Sequence, residues 1–253
     1  MLHQEKKNTK PIIELPQEIQ ENLDPIMEDI IAIEKEEYHN DLVPFSQAEA
    51  QLRESAKKKT FELYSDLNNG KGILKELFEA DEQNNPNLPF DVLFARWEEG
   101  SKAYRERLKN KRDSEKSLQE LCGLSQVFMN RAYEKAKNLS EEKRYEDAAC
   151  VFKFLRNLNS DVFEYLVGEA LALHKLGRFE EALETYSISL FYQPENPDIF
   201  FQMSDCLCSL DEIQAGIEAL KTCIELSEKK PEYVELLKDA NDLKDVLEKQ
   251  KAA

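Results

Sequence analysis

The chain has little of what catalysis or metal binding needs. Its 253 residues include only 3 histidines, His3, His39 and His174, and these are dispersed. There is no Gly-x-x-x-x-Gly-Lys loop to cradle phosphates, no Gly-x-Ser-x-Gly elbow to expose a nucleophile and no His-Glu-x-x-His helix to hold zinc. His39 has Glu36, Glu37 and Asp41 nearby, but in a chain with 51 acids nothing selects one pair for acid–base work. Cys-x-x-Cys is absent as well. The 5 cysteines, Cys122, Cys150, Cys206, Cys208 and Cys223, are odd in number and sit among apolar neighbours, as buried reduced thiols do. Cys206 and Cys208 are two apart on a predicted helix and do not share a face for a metal. The chain is therefore not expected to be an enzyme, and no cofactor or metal is expected.

Long apolar runs are missing too. Nowhere do about 18 apolar residues follow one another, so no stable membrane insertion is expected. Met1 to Pro11 is polar and lacks the apolar core of a signal peptide, which predicts a cytoplasmic protein. Positive charge is outweighed, with 34 Lys plus Arg against 51 Asp plus Glu and a net charge of -17. That field repels phosphate backbones, and the basic runs Lys57 to Lys59 and Lys109 to Arg112 are short enough to be solvated helix faces. Nucleic acid is not an expected partner.

What the chain does have is a repeat. Tyr145-Glu146-Asp147-Ala148, Phe179-Glu180-Glu181-Ala182 and Ile213-Gln214-Ala215-Gly216 begin 34 residues apart. In the second unit Leu166, Ala170, Leu173, Gly177, Phe179, Ala182, Tyr186 and Pro194 follow the tetratricopeptide order of large, small, large, turn, aromatic, small, aromatic and terminating residues. Ala170 and Ala182 fit where two helices approach closely, Gly177 supplies a positive φ at the turn, and Pro194 is expected to stop the second helix. The first unit follows with Ala132, Ala136, Leu139, Tyr145, Ala148 and Phe152. Lys143 takes the glycine place there, so that turn is expected to be made differently. The third has Phe200, Ser204, Leu207, Ile213, Gly216 and Leu220, with Asp211 at the turn and Gly216 at the helix crossing.

Such units bury their apolar sides only by stacking, so the last one needs a cover. Pro231 can start a helix whose stripe is Tyr233, Val234, Leu236, Leu237, Ala240, Leu243, Val246 and Leu247. The predicted fold is all-α: three tandem tetratricopeptide repeats with a C-terminal capping helix, preceded by an irregular helical extension. The expected boundaries are 1–15 for a flexible tail, 16–83 for an N-terminal helical region, 84–89 for a loop, 90–120 for a helix and charged linker, 121–230 for the repeats and 231–250 for the cap. Within 16–83, Ile19, Leu23, Ile26, Met27, Ile30 and Ile33 recur at helical spacing. Leu52, Ala56, Leu63, Tyr64 and Leu67 form a second face that Asn69-Gly70 is expected to break, with a short helix from Ile73 to Ala80 beyond it. These helices are expected to pack as a modest bundle; alternatively, a segment such as Ile26 to Ile33 covers a repeat surface.

The stretches Gly123 to Phe152, Tyr165 to Leu173, Phe179 to Ser187, Glu195 to Phe201 and Asp205 to Leu207 resemble the tetratricopeptide chaperones of type III secretion translocators. The segment Gly168 to Ala170, the pair Tyr186-Ser187 and the passage Asn196-Pro197 to Phe200-Phe201 carry most weight, because generic repeats do not require them. The resemblance covers about 115 residues, nearly half the chain. It implies a chaperone that binds a secreted hydrophobic translocator or effector protein through an extended segment and keeps it soluble for export. It also implies self-association, as a homodimer, often through N-terminal helices.

In such arrays the first helix of each repeat faces the inside of the curve. The implied peptide-binding groove is Asn130, Tyr133 and Lys137, then Glu164, Val167, Leu171 and His174, then Asp198, Phe201, Asp205 and Cys208. Tyr133, Val167, Leu171 and Phe201 would form shallow apolar pockets, and Lys137, His174 and Asp205 would orient polar parts of the segment. The competing reading is a non-enzymatic scaffold that uses the same groove to assemble a secretion or other multiprotein complex.

Overall fold

The computed structural model describes residues 45–82 and 117–252, and every regular element among them is helical. In chain order these are α1 (Phe45–Glu82), α2 (Leu118–Leu121), α3 (Gln126–Glu141), α4 (Tyr145–Leu158), α5 (Phe163–Lys175), α6 (Phe179–Ser189), α7 (Pro197–Ser209), α8 (Ile213–Ser227), a 3-10 turn at Pro231–Tyr233 and α9 (Val234–Ala252). The expectations for residues 1–38, 84–89 and 90–116 lie outside the described residues.

The chain divides into two compact units, Met1–Ser65 and Asp66–Ala253. Of the first, α1 supplies a helical stretch whose surface carries i,i+4 ion pairs between Glu49 and Arg53 (2.9 Å) and between Lys58 and Glu62 (3.9 Å). Each such pair adds only about 0.2–0.5 kcal/mol to a helix.

In the second unit, α3 to α8 form three helix hairpins whose second helices begin at Tyr145, Phe179 and Ile213, the positions the 34-residue spacing selects. The hairpins follow one another with α4 against α5 and α6 against α7, and α9 lies against α8. Ala132, Ala136, Ala148, Ala170 and Ala182 are all fully buried, which lets paired helix backbones come close. At Gly216 a side chain would not fit: a Cβ there would stand 2.6 Å from Cys208 Sγ and 3.2 Å from the Ser204 carbonyl.

The expectation of a different first turn does not hold. Lys143, Gly177 and Asp211 all adopt the left-handed conformation, with φ of 62°, 74° and 65°. Each turn closes by the same pair of backbone bonds. The next amide reaches back five residues, Arg144 to Leu139 (2.8 Å), Arg178 to Leu173 (3.0 Å) and Glu212 to Leu207 (2.9 Å). The turn residue's own amide reaches back three, to Ser140 (3.1 Å), His174 (3.0 Å) and Cys208 (3.1 Å). Satisfying the last carbonyls of the first helix fixes the torsion, and Lys143 and Asp211 accept it without being glycine.

Two further expectations are corrected. Asn69-Gly70 does not break a helix, because α1 runs unbroken from Phe45 to Glu82. Gly70 is buried, and a Cβ at that position would lie 2.3 Å from the Cβ of Phe154. The glycine thus makes room for a neighbouring helix and leaves the backbone helical. Pro194 is not what ends α6: that helix stops at Ser189, where Ser189 Oγ donates to the Tyr186 carbonyl at 2.6 Å. The chain then tightens, with Phe191 and Tyr192 donating to Ile188 and Ser189 at 3.1 Å each.

Residues 66–82 of α1 pack on the first hairpin. Phe78 stacks on Phe128 at 6.1 Å between centroids, the Arg131 guanidinium lies 4.6 Å from the centre of the Phe78 ring, and Lys153 pairs with Asp66 at 3.1 Å. Across the other side of α4, a Cβ at Gly168 would lie 2.4 Å from the Phe152 ring, so Phe152 occupies that space. Beside it, buried Glu169 accepts from Arg156 Nε at 2.5 Å and Nη2 at 3.2 Å. At the far end Leu236, Ala240, Leu243 and Leu247 of α9 pack with Ile217, Leu220 and Cys223. The predicted stripe was too wide, since Val234 and Val246 are 64% and 49% exposed.

Candidate functional site

Positions that recur every 34 residues on the first helices occupy the same turn of α3, α5 and α7, so the predicted groove residues form rows across three helices. The first row is Asn130, Glu164 and Asp198, all exposed. Asp198 follows an N-terminal cap in which Asn196 Oδ1 accepts from its amide at 3.1 Å, with Pro197 in the first helical turn. This accounts physically for the Asn196-Pro197 passage in the sequence. Neither the Glu164 nor the Asp198 carboxylate takes part in an ion pair among the described residues.

The second row is Tyr133, Val167 and Phe201, each half-buried. Tyr133 meets Tyr165 at 5.6 Å and the edge of Phe152 at 6.0 Å between ring centroids. Burial raises both phenol pKa values, and the nearby Glu164 carboxylate raises them further. Phe201 packs partly into the apolar cluster between the third hairpin and α9, so it is less available than the sequence implied.

The third row is Lys137, Leu171 and Asp205. Lys137 Nζ is 2.8 Å from Glu134 and 5.0 Å from the centre of the Tyr133 ring, so its ammonium already has both a counter-charge and an aromatic face. Leu171 is 36% exposed and belongs to neither buried cluster, which makes it the aliphatic side chain most open to a ligand in these rows.

The fourth row departs most from expectation. His174 is buried, sits edge-on to Phe179 at 5.8 Å, and its Nε2 lies 3.0 Å from Asp205 Oδ2. Its other ring nitrogen has no partner. His174 and Asp205 therefore tie α5 to α7, and the histidine is not a free hand for a client. Cys208 also turns away from the expected role, with its sulfur in the space left by Gly216 on α8.

Burial pushes the thiols of Cys122 and Cys206 up to about 11 and about 12, leaving almost no thiolate near neutrality. Among the described residues no group of three or more His, Cys, Asp or Glu side chains is placed to hold a metal, and no helix is long and apolar enough to cross a membrane. Sequence reasoning missed Tyr165, which completes the aromatic pair, and Glu134, which engages Lys137. It also missed the Arg156–Glu169 pair behind the face. The one available signal was Gly168, a glycine inside a helical pattern, which usually marks a close approach.

No family model matches the chain. Over 113 residues, 45% of this chain and 67% of the relative, it is 26% identical to low calcium response locus protein H of Yersinia pseudotuberculosis. A type III secretion system complex from Aeromonas hydrophila matches with a TM-score of 0.54 and 21% identity, over 58% of this chain and 98% of that one. The translocator chaperone SycD of Yersinia enterocolitica matches with a TM-score of 0.49 and 24% identity, over 51% of this chain and 90% of that one. Over the matched 58% of the chain, the fold is similar to one found in the Aeromonas complex. The 26% identity to the Yersinia pseudotuberculosis protein and the likeness in fold to the Aeromonas complex stand beside the resemblance read from the sequence.

Proposed function

We propose that the protein is a cytoplasmic chaperone of type III secretion, which holds a hydrophobic translocator or effector protein in soluble, export-competent form through an extended segment laid across α3, α5 and α7. On this reading residues 121–230 are three tetratricopeptide units and residues 231–250 are their cap. Residues 66–82 cover the opposite end of the array. The observation that carries the proposal is the exposed Leu171, flanked by Val167 and the Tyr133–Tyr165 pair, on a row of helices similar in fold to a type III secretion complex. An apolar strip with polar rims accepts an extended chain by seating alternate side chains.

The test is co-expression of the full-length protein with a membrane-active secreted protein of the same secretion system. The client should be soluble only in the complex, and Leu171→Asp should release it while the helical circular dichroism is retained. Phe201→Asp is the poorer probe because its side chain is partly in the apolar cluster. A client equally soluble alone, or unaffected capture by Leu171→Asp, would count against the chaperone and favour a scaffold that binds elsewhere.

A further inference from the structure

The inner rows carry an imbalance of charge that their apolar character does not explain. Glu164 and Asp198 stand at equivalent places on α5 and α7, exposed and without an ion-pair partner among the described residues. Some other carboxylates of the array have found cations: Glu134 holds Lys137, Glu146 and Glu181 share Arg178, Asp147 takes Arg144, and Glu218 takes Lys221. Lys137, the lysine of the inner rows, is already engaged. Asp205, the third carboxylate there, leans on His174.

An extended chain advances about 3.3 Å per residue and turns every second side chain to the same face, so two side chains that both reach the groove stand an even number of residues apart. Resting on the chaperone reading, we propose that the client segment is both apolar and basic, with lysine or arginine side chains about four residues apart meeting Glu164 and Asp198 while its apolar residues lie on Val167 and Leu171. An acidic segment would meet like charge on the rows and from a chain of net charge -17. Both acids also lie in the first turns of their helices, where a negative charge favours the helix dipole. That structural role predicts a loss of stability, whereas the binding role predicts a loss of affinity for cations only.

The experiment uses full-length protein and three labelled extended peptides of about twelve residues, alternating leucine with threonine and carrying Lys, Gln or Glu in place of two leucines about four residues apart. In fluorescence anisotropy the Lys peptide should bind about fivefold tighter than the Gln peptide, and the Glu peptide weakest of all. High salt should close the gap. Glu164→Gln combined with Asp198→Asn should bring the Lys peptide to the level of the Gln peptide. Equal affinity for Lys and Gln peptides, both lost with Leu171→Asp, would overturn the basic client and leave the groove standing. A Lys preference that survives the double variant would overturn it as well. Failure of all three peptides to bind would overturn the basic client and the groove together.

Discussion

Helix α4 is gripped on its two sides by the same steric device, with different electrostatics beside it. Toward α1, Phe154 presses into the space at Gly70 and Lys153 pairs with Asp66; toward α5, Phe152 presses into the space at Gly168 and Arg156 pairs with Glu169. Lys153 and Asp66 are 39% and 22% exposed, while Glu169 is only 4% exposed. The glycine sockets set how closely the helices approach, and the burial of the ion pair sets how much it costs to disturb them.

The largest effect is expected at the buried pair. Arg156→Ala leaves Glu169 without its counter-charge and should destabilise the protein by about 3 kcal/mol near neutral pH, read by urea denaturation. Burial raises the Glu169 pKa above its ordinary 4.5, and Arg156 pulls it back down. A carboxyl whose folded pKa is raised contributes most below its unfolded value and loses that contribution as the pH rises through the folded one. The penalty of Arg156→Ala should therefore shrink as the pH falls toward 4.5, where Glu169 is protonated and needs no cation. A penalty independent of pH would mean that Arg156 acts by packing alone.

Next come the sockets. Gly70→Ala and Gly168→Ala place a Cβ 2.3 Å from Phe154 and 2.4 Å from Phe152, and each should cost about 2 kcal/mol by overpacking despite the better helix propensity of alanine. Combining Gly168→Ala with Phe152→Leu should cost less than the sum of the two single changes, because they share one contact. Strict additivity would dismiss the socket.

This symmetry about α4 was only partly legible in the sequence. The 34-residue spacing located the start of every second helix, and the small residues Ala148, Ala170 and Ala182 lie buried as their periodicity required. Local signals failed where a partner from another element decided the outcome. Asn69-Gly70 has the composition of a turn, yet Phe154 makes the glycine a packing site inside a helix. Arg156 and Glu169 are 13 residues apart, and His174 and Asp205 are 31 apart, on different helices, so neither pair follows from the periodicity of one helix. His174 and Cys208 were assigned to the groove by position on the repeat. Their contacts with Asp205 and with the space at Gly216 are made between helices, which position on the repeat does not reveal.

The hairpin turns separate the two things a missing side chain can supply. A Cβ at Gly177 would meet only the Phe179 ring at 3.9 Å, an ordinary contact, so Gly177→Ala should cost about 1 kcal/mol through its φ of 74° alone. Lys143→Gly and Asp211→Gly relieve the same torsion, though a more flexible unfolded chain takes back part of the gain. Each should stabilise by about 0.5 kcal/mol in the same denaturation assay. The smallest expected effect closes the comparison across α4: Lys153→Ala breaks an ion pair open to water and should cost at most about 0.5 kcal/mol. A penalty as large as that of Arg156→Ala would show that the seam with α1 depends on its charges as much as the seam with α5. In that event the Phe154 socket alone would not account for how residues 66–82 are held on the first hairpin.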